Sequence, residues 1–243
     1  MRPRLFCPPP LAAGAETALP RSAAHHAARV LRLKRGDAVT LFDGEGGEFS
    51  AALARVDARG VIARLGPREN VERESPLEIT LVQGLATAER MDYAIQKAVE
   101  LGVAGIVPVA TARSVTRLDA ARAQRRLEHW REVVIASCEQ CGRNRLPRLH
   151  PPCDLLQWLR EPSTASLRLL LAPDGPQTLA DLGQPAGAIE VLVGPEGGLA
   201  PEEAAAARAA GFRAVRAGPR ILRTETAGPA MLAAMNALWG DWR

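Results

Sequence analysis

At 243 residues, with 47% hydrophobic and 24% charged side chains, the chain has material for one large or two smaller globular domains with a sizeable core. No apolar run is long enough to span a bilayer, and the start MRPRLFCPPP lacks the continuous apolar stretch of a signal peptide, so a cytoplasmic protein is expected. The net charge of +4 is unevenly spread: residues 1–75 hold 12 basic against 9 acidic side chains and residues 111–148 hold 9 against 4, whereas residues 149–243 hold 8 against 10. That division suits a protein that grips a polyanion with one surface and a small cofactor with another.

Residues 4–70 read as strands with one short helix, which Ser22 can cap and which runs through Val30 and Leu31. Hairpin signals at Asp43-Gly44 and Gly46-Gly47 then predict a small β-barrel, with Arg4, Arg29, Arg32, Lys34 and Arg35 supplying positive charge. The polar segment NVERESP, closed by Pro76, marks a linker. After it strands and helices alternate: strand LEITLVQG, a helix over 89–101 with Met91, Ala94, Ile95, Ala98 and Val99 on one face, and strand GIVPVA. Strands RLLLAP, IEVLVG and FRAVRAG follow, and a last helix over 226–239 carries Met231, Met235 and Leu238 on one stripe. The alternation predicts an α/β domain with a buried parallel sheet. Cys138 and Cys141 form a CxxC with no second cysteine pair or paired histidine at zinc-finger spacing, so structural cysteines and no metal are expected. His25 and His26 read as surface or cap residues.

Two late segments, VLVGPEGGLAPEE and AGPRILRTETAGPAML, carry the chemistry. Each reads as strand, glycine- or proline-bearing bend and helix, which brings two bends to one crevice at a sheet edge. Neither GxxxxGK[ST] nor GxGxxG occurs, and Glu196, Glu202, Glu203 and Glu225 around the bends would repel a polyphosphate. A neutral or partly cationic ligand fits better, and S-adenosylmethionine, with its sulfonium and ammonium, is one. The simpler reading is that acidic residues and Pro201 serve helix starts.

The motifs GPEGG and GPRILRTETA, with RPRLF, HHAARVLRLKRGD, QKAVELGV and EQCGRNRLP in the same order, resemble the SPOUT class of methyltransferases, and in particular the RsmE family of small-subunit ribosomal RNA uridine-N3 methyltransferases. Cys138, where Ser or Ala is expected, and Ala217, where a larger aliphatic is common, depart from the pattern. The resemblance implies a PUA-like β-barrel RNA-binding domain over 1–72, a SPOUT α/β domain with a trefoil knot over 76–243, and a homodimer. It implies S-adenosylmethionine held by Leu171, Ala172 and Pro173, by Val193, Gly194, Pro195, Glu196, Gly197 and Gly198, and by Gly218, Ile221, Leu222, Arg223, Thr224, Thr226 and Ala227. The implied reaction is methylation of uridine N3 in 16S rRNA of the small ribosomal subunit. Ribose 2′-O methylation and non-catalytic RNA binding are the alternatives. Removal of the N3 proton calls for a base, for which Glu225 is a candidate beside a cofactor-orienting role, while Arg220 or Arg223 could stabilise charge on the uracil oxygens. Arg4, Arg29, Arg32, Arg143 and Arg145 are the candidate RNA contacts.

Overall fold

The computed structural model describes residues 2–115 and 119–242 and divides into two compact units. The first comprises residues 1–74 and 135–146, the second residues 75–134 and 147–243.

In the first unit β1 (Arg4–Phe6), β2 (Glu16–Ala18), β3 (Ala38–Phe42), β4 (Glu48–Asp57) and β5 (Gly60–Glu69) form one sheet in the order β1-β3-β4-β5-β2. Strands β4 and β5 are the longest, and the alternation in EFSAALARVD and GVIARLGPRE puts Phe49, Ala51, Leu53, Val61, Ala63 and Leu65 into one core. The sheet runs as an open path from β1 to β2, and among the described residues no ladder joins its ends, so the expected barrel closure is not made by hydrogen bonding. Helix α1 (Arg21–His25) begins at Pro20 rather than at a Ser22 cap, and continues as a π-helical turn, His26–Val30, where a plain α-helix was expected. Residues 135–146 complete this unit, with the Phe6 amide donating to Glu139 Oε1 (2.8 Å) and the Leu146 amide to the Gly44 carbonyl (3.1 Å).

The second unit is built on a parallel sheet ordered β12-β10-β11-β6-β7-β8, with β9 also paired to β7. Its strands are β6 (Ile79–Gly84), β7 (Gly105–Ala110), β8 (Arg148–Leu149), β9 (Cys153–Asp154), β10 (Leu167–Leu171), β11 (Ile189–Val193) and β12 (Arg213–Val215). The central strands are apolar on both faces because helices cover them, as near-continuous runs such as IEVLV require. Helix α2 (Ala88–Glu100) buries Met91, Ala94, Ile95, Ala98 and Val99, and packs on α6 (Thr224–Trp239). The longest helix is α3 (Ala120–Cys141), whose last residues belong to the first unit; the short α4 (Leu155–Trp158) and α5 (Pro201–Ala209) complete the helices. Helix α6 starts two residues before the expected 226. Of its expected stripe Met231 and Met235 are buried, whereas Leu238 is 44% exposed.

Buried Asn236 ties α6 down: its Nδ2 donates to the Leu101 carbonyl (2.8 Å) and its Oδ1 accepts from Ser75 Oγ (2.8 Å). All four cysteines are free thiols, and burial pushes the Cys138 thiol up to about 12, which leaves it inert at neutral pH.

Candidate functional site

A cavity of about 780 Å³ opens at the carboxyl ends of β10, β11 and β12, the edge at which open parallel sheets bind ligands. Three loops and the first turn of α6 line it. The loop after β10 supplies Leu171, Ala172 and Pro173, and the loop after β11 supplies Gly194, Pro195, Glu196, Gly197 and Gly198, next to Val193. The stretch after β12 and the start of α6 supply Gly218, Arg220, Ile221, Leu222, Arg223, Thr224, Glu225 and Ala227. Of the expected cofactor residues only Thr226 lies off the cavity wall. It is exposed in the first turn of α6, with its amide donating to the Arg223 carbonyl (2.9 Å).

Close packing fixes the loops. Gly84 ends β6 so near the β11 loop that a Cβ there would stand 2.5 Å from the Pro195 nitrogen. Gly198 turns the same loop back with φ of +68°, a region in which glycine pays no Cβ penalty, and its amide donates to the Pro195 carbonyl (2.8 Å). Beneath the loops runs a buried polar relay: Gln83 Nε2 donates to Thr224 Oγ1 (2.8 Å), which donates to the Gly194 carbonyl (2.6 Å). It links β6, the loop after β11 and the start of α6 through one hydroxyl.

The electrostatics centre on Arg90, in the first turn of α2. Its Nη1 donates to Glu196 Oε1 (2.9 Å), and its Nε lies 3.7 Å from Glu225 Oε1. Glu196 Oε1 also accepts from the Thr87 amide (3.0 Å). Burial pushes the Glu196 carboxyl up, but the Thr87 amide and Arg90 outweigh it and hold it below the usual carboxylate range. The second oxygen of each carboxylate, Glu196 Oε2 and Glu225 Oε2, is buried without a hydrogen-bond partner. The cavity wall carries both signs, with Arg90, Arg208, Arg220 and Arg223 beside Asp174, Glu196 and Glu225. S-adenosylmethionine, with a carboxylate as well as an ammonium and a sulfonium, suits a wall of both signs, and the cavity volume is that of a cofactor site.

One expectation about the bends is corrected. Glu203 faces away from the cavity, buried, with its oxygens accepting from the Ala112 (2.7 Å) and Ala200 (2.9 Å) amides as the capping residue of α5, and Glu202 is exposed outside the cavity wall. Arg220 and Arg223 are exposed and, among the described residues, make no side-chain hydrogen bond or ion pair; Ile221 between them is 81% exposed.

The five candidate RNA arginines divide. Arg4, with a side chain 8% exposed, donates from Nη1 to Glu48 Oε2 (2.5 Å) and from Nη2 to Asn144 Oδ1 (2.5 Å). Arg143, 6% exposed, pairs with Glu74 Oε2 (2.6 Å). Burial and neutralisation inside the first unit give both a structural place. Arg145 is half-exposed with Glu72 Oε2 3.4 Å away, and Arg29 and Arg32 are exposed.

Sequence reasoning missed Arg90 and Gln83. The signal for Arg90 was its place in the first turn after a parallel strand, which falls at the ligand edge; for Gln83 it was a lone amide inside the apolar run of β6.

Comparison with known proteins agrees with this geometry. The family model of an RNA methyltransferase domain matches residues 73–236, and that of an RNA methyltransferase PUA domain matches residues 19–66. Ribosomal RNA small subunit methyltransferase E of Mycobacterium tuberculosis is 36% identical, the alignment covering 89% of this chain and 84% of that protein. The enzyme of the same name from Neisseria gonorrhoeae, crystallised bound to S-adenosyl methionine, has a TM-score of 0.92 and 40% identity over the full length of both chains. A Legionella pneumophila structure, described as a methyltransferase in complex with the bound cofactor SAM, has a TM-score of 0.95 and 38% identity over 99% of each chain. Domain models that cover both parts of the sequence, relatives aligned nearly end to end, and a cavity where the two late motifs meet place this chain in the ribosomal RNA small subunit methyltransferase E family of RNA methyltransferases.

Proposed function

We propose that the chain methylates N3 of a uridine in 16S rRNA of the small ribosomal subunit, with S-adenosylmethionine as donor. The observation that carries the reading is a cavity of about 780 Å³ at the carboxyl ends of parallel strands, walled by the bends of the two late motifs. The donor supplies an activated methyl group to a nucleophilic nitrogen. The protein's share is alignment and charge. Residues 171–173, 193–198 and 218–227 form the cofactor cradle, in which the Gln83–Thr224 relay fixes the loop carbonyl of Gly194. Arg90 donates to Glu196 (2.9 Å) and lies 3.7 Å from Glu225, which holds both side chains in place at the cavity wall.

Uridine N3 must lose its proton, and Arg220 and Arg223, exposed at the cavity wall, are the groups that stabilise the charge left on the uracil oxygens. Glu225 serves mainly to orient the cofactor, since it lines the cavity with its Oε1 3.7 Å from Arg90 Nε. Residues 1–72 are the RNA-binding domain, with Arg29, Arg32 and Arg145 as its outward cations, and residues 76–243 the methyltransferase domain. The stretch after β12, which leaves the sheet edge and returns as α6 against α2, β6 and β11, is the segment proposed to thread a trefoil knot. A PUA-like barrel, a cytoplasmic location and a homodimer complete the reading; Tyr93 and Leu238, exposed on the packed helices α2 and α6, suit a self-association face.

The test is to incubate the protein with S-adenosylmethionine and small subunits that lack the modification, then map the product by nucleoside mass spectrometry. N3-methyluridine supports the reading, and a 2′-O-methylated nucleoside or no product sinks it. In single turnover at saturating cofactor, Glu225→Gln should stay within about tenfold of the parent rate while binding cofactor more weakly; a larger loss of rate with unchanged affinity would make Glu225 the base.

A further inference from the structure

The turn that closes the π-helix in the first unit has features its packing does not require. Residues 17–36 contain Arg21, Arg29, Arg32, Lys34 and Arg35 and no Asp or Glu. The helix ends through two wide bonds, the Leu31 amide to the His26 carbonyl and the Leu33 amide to the Ala27 carbonyl, both 2.9 Å. Ala27 is buried in the core of the unit and Leu33 packs against it, so the turn is anchored from below. Between those anchors Val30 is 59% exposed and Leu31 39% exposed. Arg32, which follows them, has φ of +53° and is the only non-glycine residue with positive φ among the described residues. A helix-terminating residue in that conformation is usually glycine, and an arginine kept there is held against its own backbone preference. Arg29, Arg32, Lys34 and Arg35 are exposed, and none of the four makes a side-chain hydrogen bond or ion pair among the described residues.

We propose that residues 29–35 form an RNA-docking tip, in which these four cations hold phosphates on both sides of an unstacked base that packs against Val30 and Leu31. The occupant follows from charge and shape. Four uncompensated cations in seven residues match a closely spaced row of phosphates, and an apolar pair between them matches the face of a base. In a paired helix base faces are covered by stacking, so the tip selects RNA that carries a bulged or looped-out nucleotide over a continuous duplex. π-Helical turns and strained backbone recur at functional sites, and here both sit beside the exposed pair. The proposal rests on the reading of the chain as an enzyme that acts on RNA, and it names the chemistry by which the first unit recognises its target.

The experiment measures binding of the full-length protein to a fluorescent RNA hairpin with one bulged uridine and to the same hairpin fully paired, over a range of salt concentrations. The parent should prefer the bulged hairpin by about fivefold or more, the scale of one base contact. Val30→Ser with Leu31→Ser should abolish that preference and leave the salt dependence unchanged. Arg29→Ala with Arg32→Ala should keep the preference but flatten the slope of log K against log salt by about 0.7 to 0.9 per lost phosphate contact. Arg32→Gly relaxes the backbone and removes a charge, so its thermal midpoint should equal or exceed the parent's while its RNA affinity falls, an opposition that a merely structural arginine would not produce. No preference in the parent, an undiminished one in Val30→Ser/Leu31→Ser, or an unaltered slope in Arg29→Ala/Arg32→Ala would overturn the tip. Methylation of small subunits by the parent, assayed in parallel, reports separately on the activity.

Discussion

Thr224 is the residue on which the site's geometry turns, because its hydroxyl serves at once as acceptor for Gln83 and donor to Gly194. Thr224→Val keeps the shape and deletes both bonds, leaving the buried Gln83 amide with only its 3.2 Å bond to the Gly84 carbonyl and the part-buried Gly194 carbonyl without this donor. The expected cost is about 1–3 kcal/mol in urea unfolding, with weaker cofactor binding by calorimetry and recovery in Thr224→Ser. Glu196 makes a pH-dependent contribution of definite sign. Its carboxyl is held below the ordinary range in the folded chain, so the stabilisation is present above the unfolded-state pKa and disappears as pH falls through the folded one. Glu196→Gln should therefore be less stable than the parent near neutral pH, and the two unfolding midpoints should converge in acid. A gap that stays constant down to pH 3 would refute this assignment.

At the scale of elements, the close approach of β6 to the loop after β11 is the sharpest constraint. Gly84→Ala places a methyl group against the Pro195 backbone and cannot be relieved by a rotamer change. It should cost about 1–3 kcal/mol, and cofactor affinity should fall with stability because the same contact shapes the cavity. Much at this scale was legible beforehand. Strand β7 stands where GIVPVA predicts it and α2 within a residue of its expected span, because apolar periodicity and a terminal glycine report burial and helix end directly. The π-helical turn was not legible, since HHAARV carries the same periodicity whether each amide reaches back four residues or five. Nor were the partners of Arg4 and Arg143: a lone arginine in a sequence does not disclose that a carboxylate from a distant segment will bury it. Two bends of the cavity wall were legible because glycine and proline mark them, whereas the loop after β10 came from the family resemblance alone, and Gln83 and Arg90 gave only faint local signals.

At the scale of the whole molecule, ligand binding and folding are linked. The cradle draws on residues from β6 to α6 and exists only when the second unit is assembled, so S-adenosylmethionine at 100 times its Kd should add about 2.7 kcal/mol to stability. Differential scanning calorimetry at two cofactor concentrations measures the increment, and a midpoint indifferent to cofactor would contradict a preformed cradle.

The first unit is discontinuous in the sequence: it takes residues 1–74 and then, after a detour of sixty residues through the second unit, residues 135–146. Glu139 and Asn144, which satisfy the Phe6 amide and the Arg4 guanidinium, arrive with the later piece. A polypeptide cut after residue 74 would keep all five strands of its sheet and yet leave a buried arginine short of a partner, so it should be aggregation-prone rather than an independent module. In the cell the same arithmetic sets a schedule: a nascent chain carries its opening segment unfinished until Leu146 has left the ribosome, well after the five strands themselves have been made.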